Sequence, residues 1–275
     1  MVQLVTRFAP SPNGYLHLGH AFSALVGYRT ATEADGRFLL RIEDIDIGRA
    51  RPEFEQAIYD DLAWLGIEWE KPARRQSEHF ADYEAAIAQL TEQGLTYPCF
   101  CTRKEITAAG AVEGPEGLVY PGTCRRLSSA EQHERMAVEP FAVRLNMTKA
   151  VETLSVPLTW FEKGAGDIPA DPQALGDIVL ARKDIPTSYH VSVVVDDALQ
   201  GVTLVTRGQD LYYATPVHRL LQELLGLPAP DFHHHCLIED DAGMRLAKSK
   251  GSPSLKDLRE AGQSLAAVLA ALGLK

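Results

Sequence analysis

The sequence predicts an α/β fold with a parallel sheet, interrupted by an insertion of different character. A strand–loop–helix–strand unit occupies residues 2–42, as in parallel sheets whose strands are joined by helices. From about residue 99 to residue 185 the chain becomes rich in Gly, Pro and polar residues. A long apolar run then returns at residues 191–195. These observations favour one α/β body whose two halves flank the insertion.

The elements of the first half follow from apolar periodicity and from residues that break it. Residues 2–8 are expected to form a short buried strand, and apolar residues at helical spacing predict a helix over 18–34. Residues 38–42 predict a second strand. Two more helices are expected over 52–65, where Pro52 stands at the start, and over 80–93; a glycine follows each.

The remaining elements are predicted in the same way. Within the insertion, residues 141–145 are strand-like, and the apolar run 191–195 is predicted to be a buried strand. A helix is expected over 215–225, and one or two helices rich in alanine and leucine in the last 20 residues. The predicted organisation is therefore a first half (1–98), the insertion (99–185) and a second half (186–275).

Composition limits the class of protein. The 275 residues are 45% hydrophobic and 23% charged, and they contain neither a long apolar run nor a secretory leader. We therefore expect a cytoplasmic protein without a membrane segment. The net charge of −10 argues against a protein that coats nucleic acid nonspecifically, but not against one with a small RNA-binding face. Four cysteines favour a reducing compartment and metal binding over disulfides.

The loop after the first strand carries the first functional signal. His17, Gly19 and His20 stand where this loop enters the helix. Unpaired backbone N–H groups and the helix dipole favour phosphate at such a place, and the two imidazoles add donors. Two surface histidines at a helix start are the alternative, and the ten preceding residues favour the nucleotide site.

A basic loop near the other end of the chain carries the second signal. It reads Arg245-Leu246-Ala247-Lys248-Ser249-Lys250. A loop of this kind on its own is most often solvated surface. In combination with the first signal, it is interpreted as the loop that closes on ATP.

The two segments resemble the HIGH and KMSKS signatures of class I aminoacyl-tRNA synthetases, and the run RFAPSPNGYLHLGHA resembles their glutamyl/glutaminyl branch. This resemblance implies a Rossmann-like catalytic domain that uses ATP with Mg²⁺. It implies ATP contacts at His17, Gly19, His20 and Lys248, with the two histidines and Lys248 as catalytic residues. Ala247 departs from the family pattern, in which a serine stands there, and this puts loop closure in doubt.

The amino-acid site is predicted from charge. Arg7 ends the first strand and Arg207 precedes a turn, and two guanidinium groups suit the two carboxylates of a dicarboxylic substrate. Glu43, at the end of the neighbouring strand, suits the substrate ammonium group. A surface network of Arg41 with the nearby acids is the alternative; it is plausible for Asp44 and Asp46, and less so for Glu43.

The family resemblance implies a larger set of glutamate contacts. In the glutamyl-tRNA synthetase branch, glutamate is held by an Arg and a Ser of the first motif, by the Glu of a RIED segment, and by a later Tyr and Arg. The matching residues in this chain are Arg7, Ser11, Glu43, Tyr189 and Arg207.

A cluster of cysteines opens the insertion. Cys99, Cys101 and Cys124 can close around Zn²⁺ if a fourth ligand exists, and His133 and Cys236 are donors on chemistry alone. Free cytosolic thiols are the alternative. No metal is expected at the histidine run 233–235.

The resemblance identifies a different fourth ligand. Short glutamyl-Q tRNA(Asp) synthetases carry Cys-x-Cys followed by Tyr-x-x-x-Cys, the pattern found here, which implies Zn²⁺ on Cys99, Cys101, Tyr120 and Cys124. A phenolate is an uncommon zinc ligand, so a weak site is expected.

The pattern of the whole chain favours this short branch. Because 25 residues follow Lys250, no anticodon-binding domain is expected. The branch activates L-glutamate with ATP without tRNA and transfers it to queuosine in the anticodon loop of tRNA(Asp). A monomer is expected. Two alternatives stay open: a truncated enzyme that charges the 3′ end of tRNA(Glu), and a non-catalytic paralogue that binds an amino acid or nucleotide.

Overall fold

The computed structural model describes residues 3–238 and 253–274, and the chain forms two compact units. The first unit comprises Met1–Glu78, Gly201–Tyr212 and Pro230–Lys275, and the second comprises His79–Gln200 and Tyr213–Ala229. The predicted division at residues 98 and 185 stays a prediction.

Strands and helices alternate over much of the described chain. The strands are β1 (Val5–Phe8), β2 (Arg37–Ile42), β3 (Glu70–Arg75), β4 (Thr96–Cys99), β5 (Val112–Gly114), β6 (Gly117–Val119), β7 (Ala142–Leu145), β8 (Thr159–Glu162), β9 (Gly166–Pro169), β10 (Val179–Ala181), β11 (Leu204–Gly208) and β12 (Asp231–His235). The α-helices are α1 (Leu18–Glu33), α2 (Pro52–Trp64), α3 (Phe80–Glu92), α4 (Arg103–Ala108), α5 (Ser129–Met136), α6 (Met147–Glu152), α7 (Tyr189–Leu199), α8 (Thr215–Leu225), α9 (Leu255–Glu260) and α10 (Leu265–Ala271).

The first unit is built on parallel strands, as predicted. β1 pairs with β2, β2 with β3, and β11 with β12, each in parallel. The amide of Thr203, just before β11, donates to the carbonyl of Val5 in β1 at 3.0 Å. Parallel strands all end at the same edge of a sheet, and this edge is where ligands bind in open α/β folds.

Close packing holds α1 against these strands. A Cβ atom on Gly27 would lie 2.8 Å from Thr206 Oγ1 and 3.2 Å from the Phe38 ring, so only glycine permits this approach. Thr6 Oγ1 donates to the Gly27 carbonyl at 2.9 Å. This contact fixes the start of β1 relative to the helix, and hence the loop between them.

The C-terminal helices complete the core of the first unit. Leu255, Val268 and Leu272 are buried among residues of β1, α1, β2 and α2. Arg259 of α9 contacts the fully buried carboxylate of Asp61 in α2 at 3.2 Å. Burial raises the pKa of Asp61 to about 6, against the opposing effect of Arg259.

The second unit combines an antiparallel sheet, two hairpins and a group of helices. β7 lies between β4 and β10, while β5–β6 and β8–β9 are antiparallel pairs. Helices α3, α7 and α8 pack on one another. The phenol of Tyr83 in α3 donates to the buried Asp196 carboxylate of α7, with 3.0 Å to each oxygen.

The predicted strand at 191–195 is wrong, because this run is the middle of helix α7. Seven consecutive residues from Val191 to Asp197 are buried, so the helix is covered on all sides. A fully buried helix and a fully buried strand both give an uninterrupted apolar run, and periodicity alone does not separate them. The other predicted elements are confirmed, with α8 at its predicted bounds.

None of the helices formed by the described residues is long and apolar enough to span a membrane.

Candidate functional site

The two histidines of the first motif form an imidazole capping box at the start of α1. His17 is the N-cap, and its Nδ1 accepts from the amide of Gly19 at 3.1 Å. His20 Nδ1 accepts in turn from the amide of His17 at 3.1 Å, and the ring centroids lie 3.9 Å apart. Because each Nδ1 is an acceptor, each neutral ring carries its proton on Nε2. The caps therefore set both histidines as Nε2–H donors.

Gly19 stands where a side chain would crowd this arrangement. A Cβ atom at position 19 would lie 3.0 Å from His17 Cε1 and 3.1 Å from His17 Nδ1. Any side chain would push the His17 ring away from the amide that it caps. The glycine of the motif thus serves the orientation of the preceding histidine.

The two arginines expected at the amino-acid site lie on β1 and β11, at the end of the strands where they were expected to act. Arg7 is 6% exposed, and its Nη1 donates to the carbonyl of Thr206 at 3.2 Å. This contact places the Arg7 guanidinium beside the residue that precedes Arg207. The structure thus ties the Arg7 side chain to the strand that carries Arg207.

Arg207 is held by β12, through a residue that the sequence did not single out as functional. Its Nε donates to His234 Nε2 at 3.0 Å, and its guanidinium lies 5.2 Å from the Phe232 ring centroid. Residues 207 and 234 are directly opposite in the parallel pairing of β11 and β12. The histidine run lies within β12, and only the register reveals which ring orients Arg207.

Glu43 follows β2 and is fixed at both its backbone and its side chain. Its amide donates to the Pro10 carbonyl at 3.0 Å, and its Oε1 accepts from Arg41 Nη2 at 3.2 Å. Ser11, next to this contact, is exposed. The carboxylate is therefore held beside the loop that precedes the histidines.

The two neighbouring aspartates have contacts of their own. Asp44 accepts from the amide and the hydroxyl of Ser77 at 2.8 and 2.6 Å, and Asp46 lies 3.7 Å from Arg49 Nε. These contacts hold local structure.

Two further predictions concern Tyr189 and the basic loop. Tyr189 begins α7 in the second unit, where its ring packs against His190 and His218. The basic loop from Arg245 to Lys250, with Ala247 and Lys248, lies outside the described residues.

The cysteines of the insertion form a compact group. The Sγ atoms of Cys99, Cys101 and Cys124 all lie within 4.8 Å of one another. Tyr120 joins them: its hydroxyl lies 3.4 Å from Cys101 Sγ and accepts from the Cys124 amide at 2.8 Å. The Arg144 guanidinium lies 4.0 Å from the centroid of the Tyr120 ring.

The donor set fits Zn²⁺. Three converging sulfur atoms are a typical part of a structural zinc site. Burial raises the pKa of Cys101 to about 11, whereas hydrogen bonds from Tyr120 and the Phe100 amide outweigh burial and lower the pKa of Cys124. A cation at the centre of the group would favour ionised ligands.

The two other donors considered from sequence are not part of this group. His133 lies on the exposed face of α5, where its Nδ1 contacts the Ser129 carbonyl at 2.7 Å. Cys236 is exposed and belongs to the first unit.

Comparison with known proteins identifies relatives along the whole chain. Residues 3–275 match the family of tRNA synthetases class I (E and Q), catalytic domain. A glutamyl-Q tRNA(Asp) synthetase of Rhodobacter capsulatus is 48% identical over 98% of this chain and 100% of its own length. Another, of Nocardia farcinica, is 45% identical over 97% of this chain and 82% of its own length.

Solved structures give the same fold. The crystal structure of a glutamate tRNA ligase from Elizabethkingia meningosepticum, in complex with its amino acid, matches with a TM-score of 0.74 and 29% identity. The match covers 95% of this chain and 53% of that protein, so the chain spans about half its length.

Proposed function

Because this chain belongs to the family of class I glutamyl- and glutaminyl-tRNA synthetase catalytic domains, we propose that it activates L-glutamate with ATP and transfers the glutamyl group to queuosine in tRNA(Asp). The observation that carries the proposal is the 48% identity to a glutamyl-Q tRNA(Asp) synthetase over that relative's whole length. The contacts around the strand ends support it.

The first step forms glutamyl-adenylate. A carboxylate oxygen of glutamate attacks the α-phosphorus of ATP, a new P–O bond forms, and the bond to the β-phosphate oxygen breaks to release pyrophosphate. The protein contributes positioning and stabilisation of developing charge. His17 and His20, as Nε2–H donors, are proposed to contact the phosphates, with Gly19 beside the nucleoside. Lys248, outside the described residues, is proposed to meet the triphosphate, and Mg²⁺ to accompany ATP.

Glutamate is proposed to bind at the ends of β1, β2 and β11. Arg7 and Arg207 would each meet a carboxylate, and their orientation by Thr206 and His234 supports this role. Glu43 would hold the ammonium group. Ser11 and Tyr189 are proposed as further contacts of glutamate. Two fixed cations favour glutamate over glutamine, whose side chain is neutral.

In the second step a hydroxyl of the queuosine cyclopentenediol attacks the glutamyl carbonyl. The new C–O ester bond forms as the anhydride bond breaks and AMP leaves. No covalent bond to the protein is required.

Zn²⁺ is proposed to be held by Cys99, Cys101, Tyr120 and Cys124, where it would act as a structural crosslink within the second unit. The unpaired thiols suit a reducing compartment, so we propose a cytoplasmic location. A monomer is proposed as well.

Pyrophosphate exchange tests the first step. Glutamate should support exchange between ATP and labelled pyrophosphate in the absence of tRNA, and glutamine should do so far less well. Exchange that requires tRNA would instead favour the glutamate–tRNA ligase activity named for the Elizabethkingia structure. Absence of exchange under every condition would favour a protein that only binds amino acids or nucleotides.

A further inference from the structure

Three ionisable side chains form a connected chain in the second unit, apart from the residues considered so far. His190 Nε2 lies 3.2 Å from Glu116 Oε2, and His190 Nδ1 lies 3.2 Å from His218 Nε2. Glu116 stands between β5 and β6, His190 is the second residue of α7, and His218 lies in α8. The chain therefore links a hairpin to two helices.

The hairpin presents Glu116 from a closely packed base. A Cβ atom on Gly114 would lie 2.5 Å from one methyl group of Val119, and a Cβ atom on Gly176 would lie 2.6 Å from the other. Val119 is thus enclosed by two glycines that cannot be enlarged without displacing it. This packing fixes the base of the hairpin that carries Glu116.

Counting protons fixes both imidazole tautomers. An ionised carboxylate only accepts, so His190 donates through Nε2–H, and in the neutral ring its Nδ1 is then an acceptor. His218 Nε2 must supply the proton for the second bond. His218 is 2% exposed, so this bond is shielded from water. Hydrogen bonds therefore connect the Glu116 carboxylate to both rings.

Both imidazole rings contact the ring of Tyr189. Its ring centroid lies 5.6 Å from that of His190 and 5.5 Å from that of His218, and the latter contact is edge-to-face. Aromatic contacts at this distance favour one relative orientation of the rings. If either imidazole rotated, the packing surface for the phenol would change.

We propose that Glu116, His190 and His218 are positioning residues for Tyr189, and that through it they set the affinity for glutamate. The inference rests on the proposed function, in which Tyr189 contacts glutamate. It assigns the hairpin β5–β6 a role in amino-acid recognition. The two bonds of His190 use different nitrogen atoms, which suits a hydrogen-bond relay.

Steady-state pyrophosphate exchange with Glu116→Ala tests this relay. Loss of a hydrogen bond to a charged acceptor should raise the KM for glutamate roughly 3–10-fold. The KM for ATP and kcat should stay unchanged, a split that general loss of structure would not produce. Glu116→Gln retains an acceptor oxygen and should recover most of the affinity. Glu113→Ala removes an exposed carboxylate from the same hairpin and should change neither constant.

Two further measurements decide whether the effect passes through Tyr189. In a Tyr189→Ala background, Glu116→Ala should raise the KM for glutamate no further. The ¹⁵N shifts of the imidazoles should show His190 protonated on Nε2 in the wild type and mixed tautomers in Glu116→Ala. An unchanged KM in Glu116→Ala with normal wild-type exchange, or an equal effect of Glu113→Ala, would overturn this inference alone. Absence of glutamate-dependent exchange in the wild type would overturn the proposed function.

Discussion

The strand-end site of the first unit and the cysteine cluster of the second are constructed in opposite ways. At the strand ends each functional group is oriented by a different neighbour: His17 by the Gly19 amide, Arg207 by His234, and Glu43 by Arg41. In the cysteine cluster the functional groups contact one another, with Cys101 and Cys124 Sγ atoms 3.5 Å apart. The first arrangement suits the proposed binding of glutamate and ATP, which enter and leave in each catalytic cycle.

The second arrangement would be stabilised most by a permanently bound cation. Thiolates at such distances repel one another, so binding of a cation contributes directly to the free energy of folding. This difference between the two regions predicts which property a substitution will change. Changes at the strand ends should appear in kinetics, and changes in the cluster should appear in stability.

The largest effect is expected from the cysteine cluster. Cys124→Ser, or removal of zinc by a chelator, should lower the free energy of unfolding by about 5 kcal/mol, which corresponds to roughly 10–20 °C in Tm. Zinc content and calorimetric Tm measure this. Cys236→Ser alters an exposed cysteine outside the cluster and should leave both unchanged. Equal Tm values with and without chelator would place the cluster among ordinary free thiols.

The next effect is expected at the strand ends. Arg7→Ala should lower kcat/KM for glutamate in pyrophosphate exchange by an amount equivalent to roughly 2–4 kcal/mol, because a charge-assisted contact to a carboxylate is lost. Arg37→Ala is a suitable control, since its pair with Glu70 is exposed and lies at the opposite end of the parallel strands. If Arg7→Ala kept its kcat/KM for glutamate, Arg7 would not be a substrate contact.

A pH-dependent change in stability is expected from the first unit rather than from the cysteine cluster. Since the pKa of Asp61 is raised to about 6 in the folded chain, above its unfolded value of about 3.9, the folded chain retains a proton that the unfolded chain has released. Stability should therefore fall by roughly 2–3 kcal/mol as pH rises from about 4 to about 6.

Urea unfolding of Asp61→Asn against pH tests this effect. In Asp61→Asn, stability should no longer decrease as the pH rises through this range. Asp60→Asn alters an exposed neighbour on the same helix, and its stability should still decrease. Parallel pH curves for the wild type and Asp61→Asn would show that the burial of Asp61 does not govern stability in this range.

The smallest effect is expected for the glycine of the first motif. In Gly19→Ala the new Cβ atom meets His17 Cε1 at 3.0 Å, so the ring must move and its Nε2–H donor with it. We expect exchange to slow about tenfold, with little loss of stability. Gly48→Ala serves as the control, because its new Cβ atom would lie at an ordinary 3.5 Å from Asp46 Oδ1. An undiminished rate in Gly19→Ala would mean that the capping geometry does not matter for catalysis.

The sequence predicted those features that depend on local spacing. Helices α1, α2, α3 and α8 follow from apolar periodicity with clear breakers, and the three cysteines with Tyr120 were expected together from the family pattern. Helix α7 was misassigned because complete burial removes the polar face that marks a helix. His234 as the partner of Arg207 depends on the register of β11 and β12, which separation along the chain does not reveal. The chain Glu116–His190–His218 likewise depends on tertiary contact.

The most direct test of the account is transfer of labelled glutamate to RNA. Queuosine-containing tRNA(Asp), and its isolated anticodon stem-loop, should both become labelled, because the cyclopentenediol supplies the attacking hydroxyl. An unmodified tRNA(Asp) transcript should accept no glutamate, since guanine at that position has no such group. Equal labelling of modified and unmodified tRNA(Asp), or labelling of tRNA(Glu) alone, would contradict the account and indicate aminoacylation of the 3′ end.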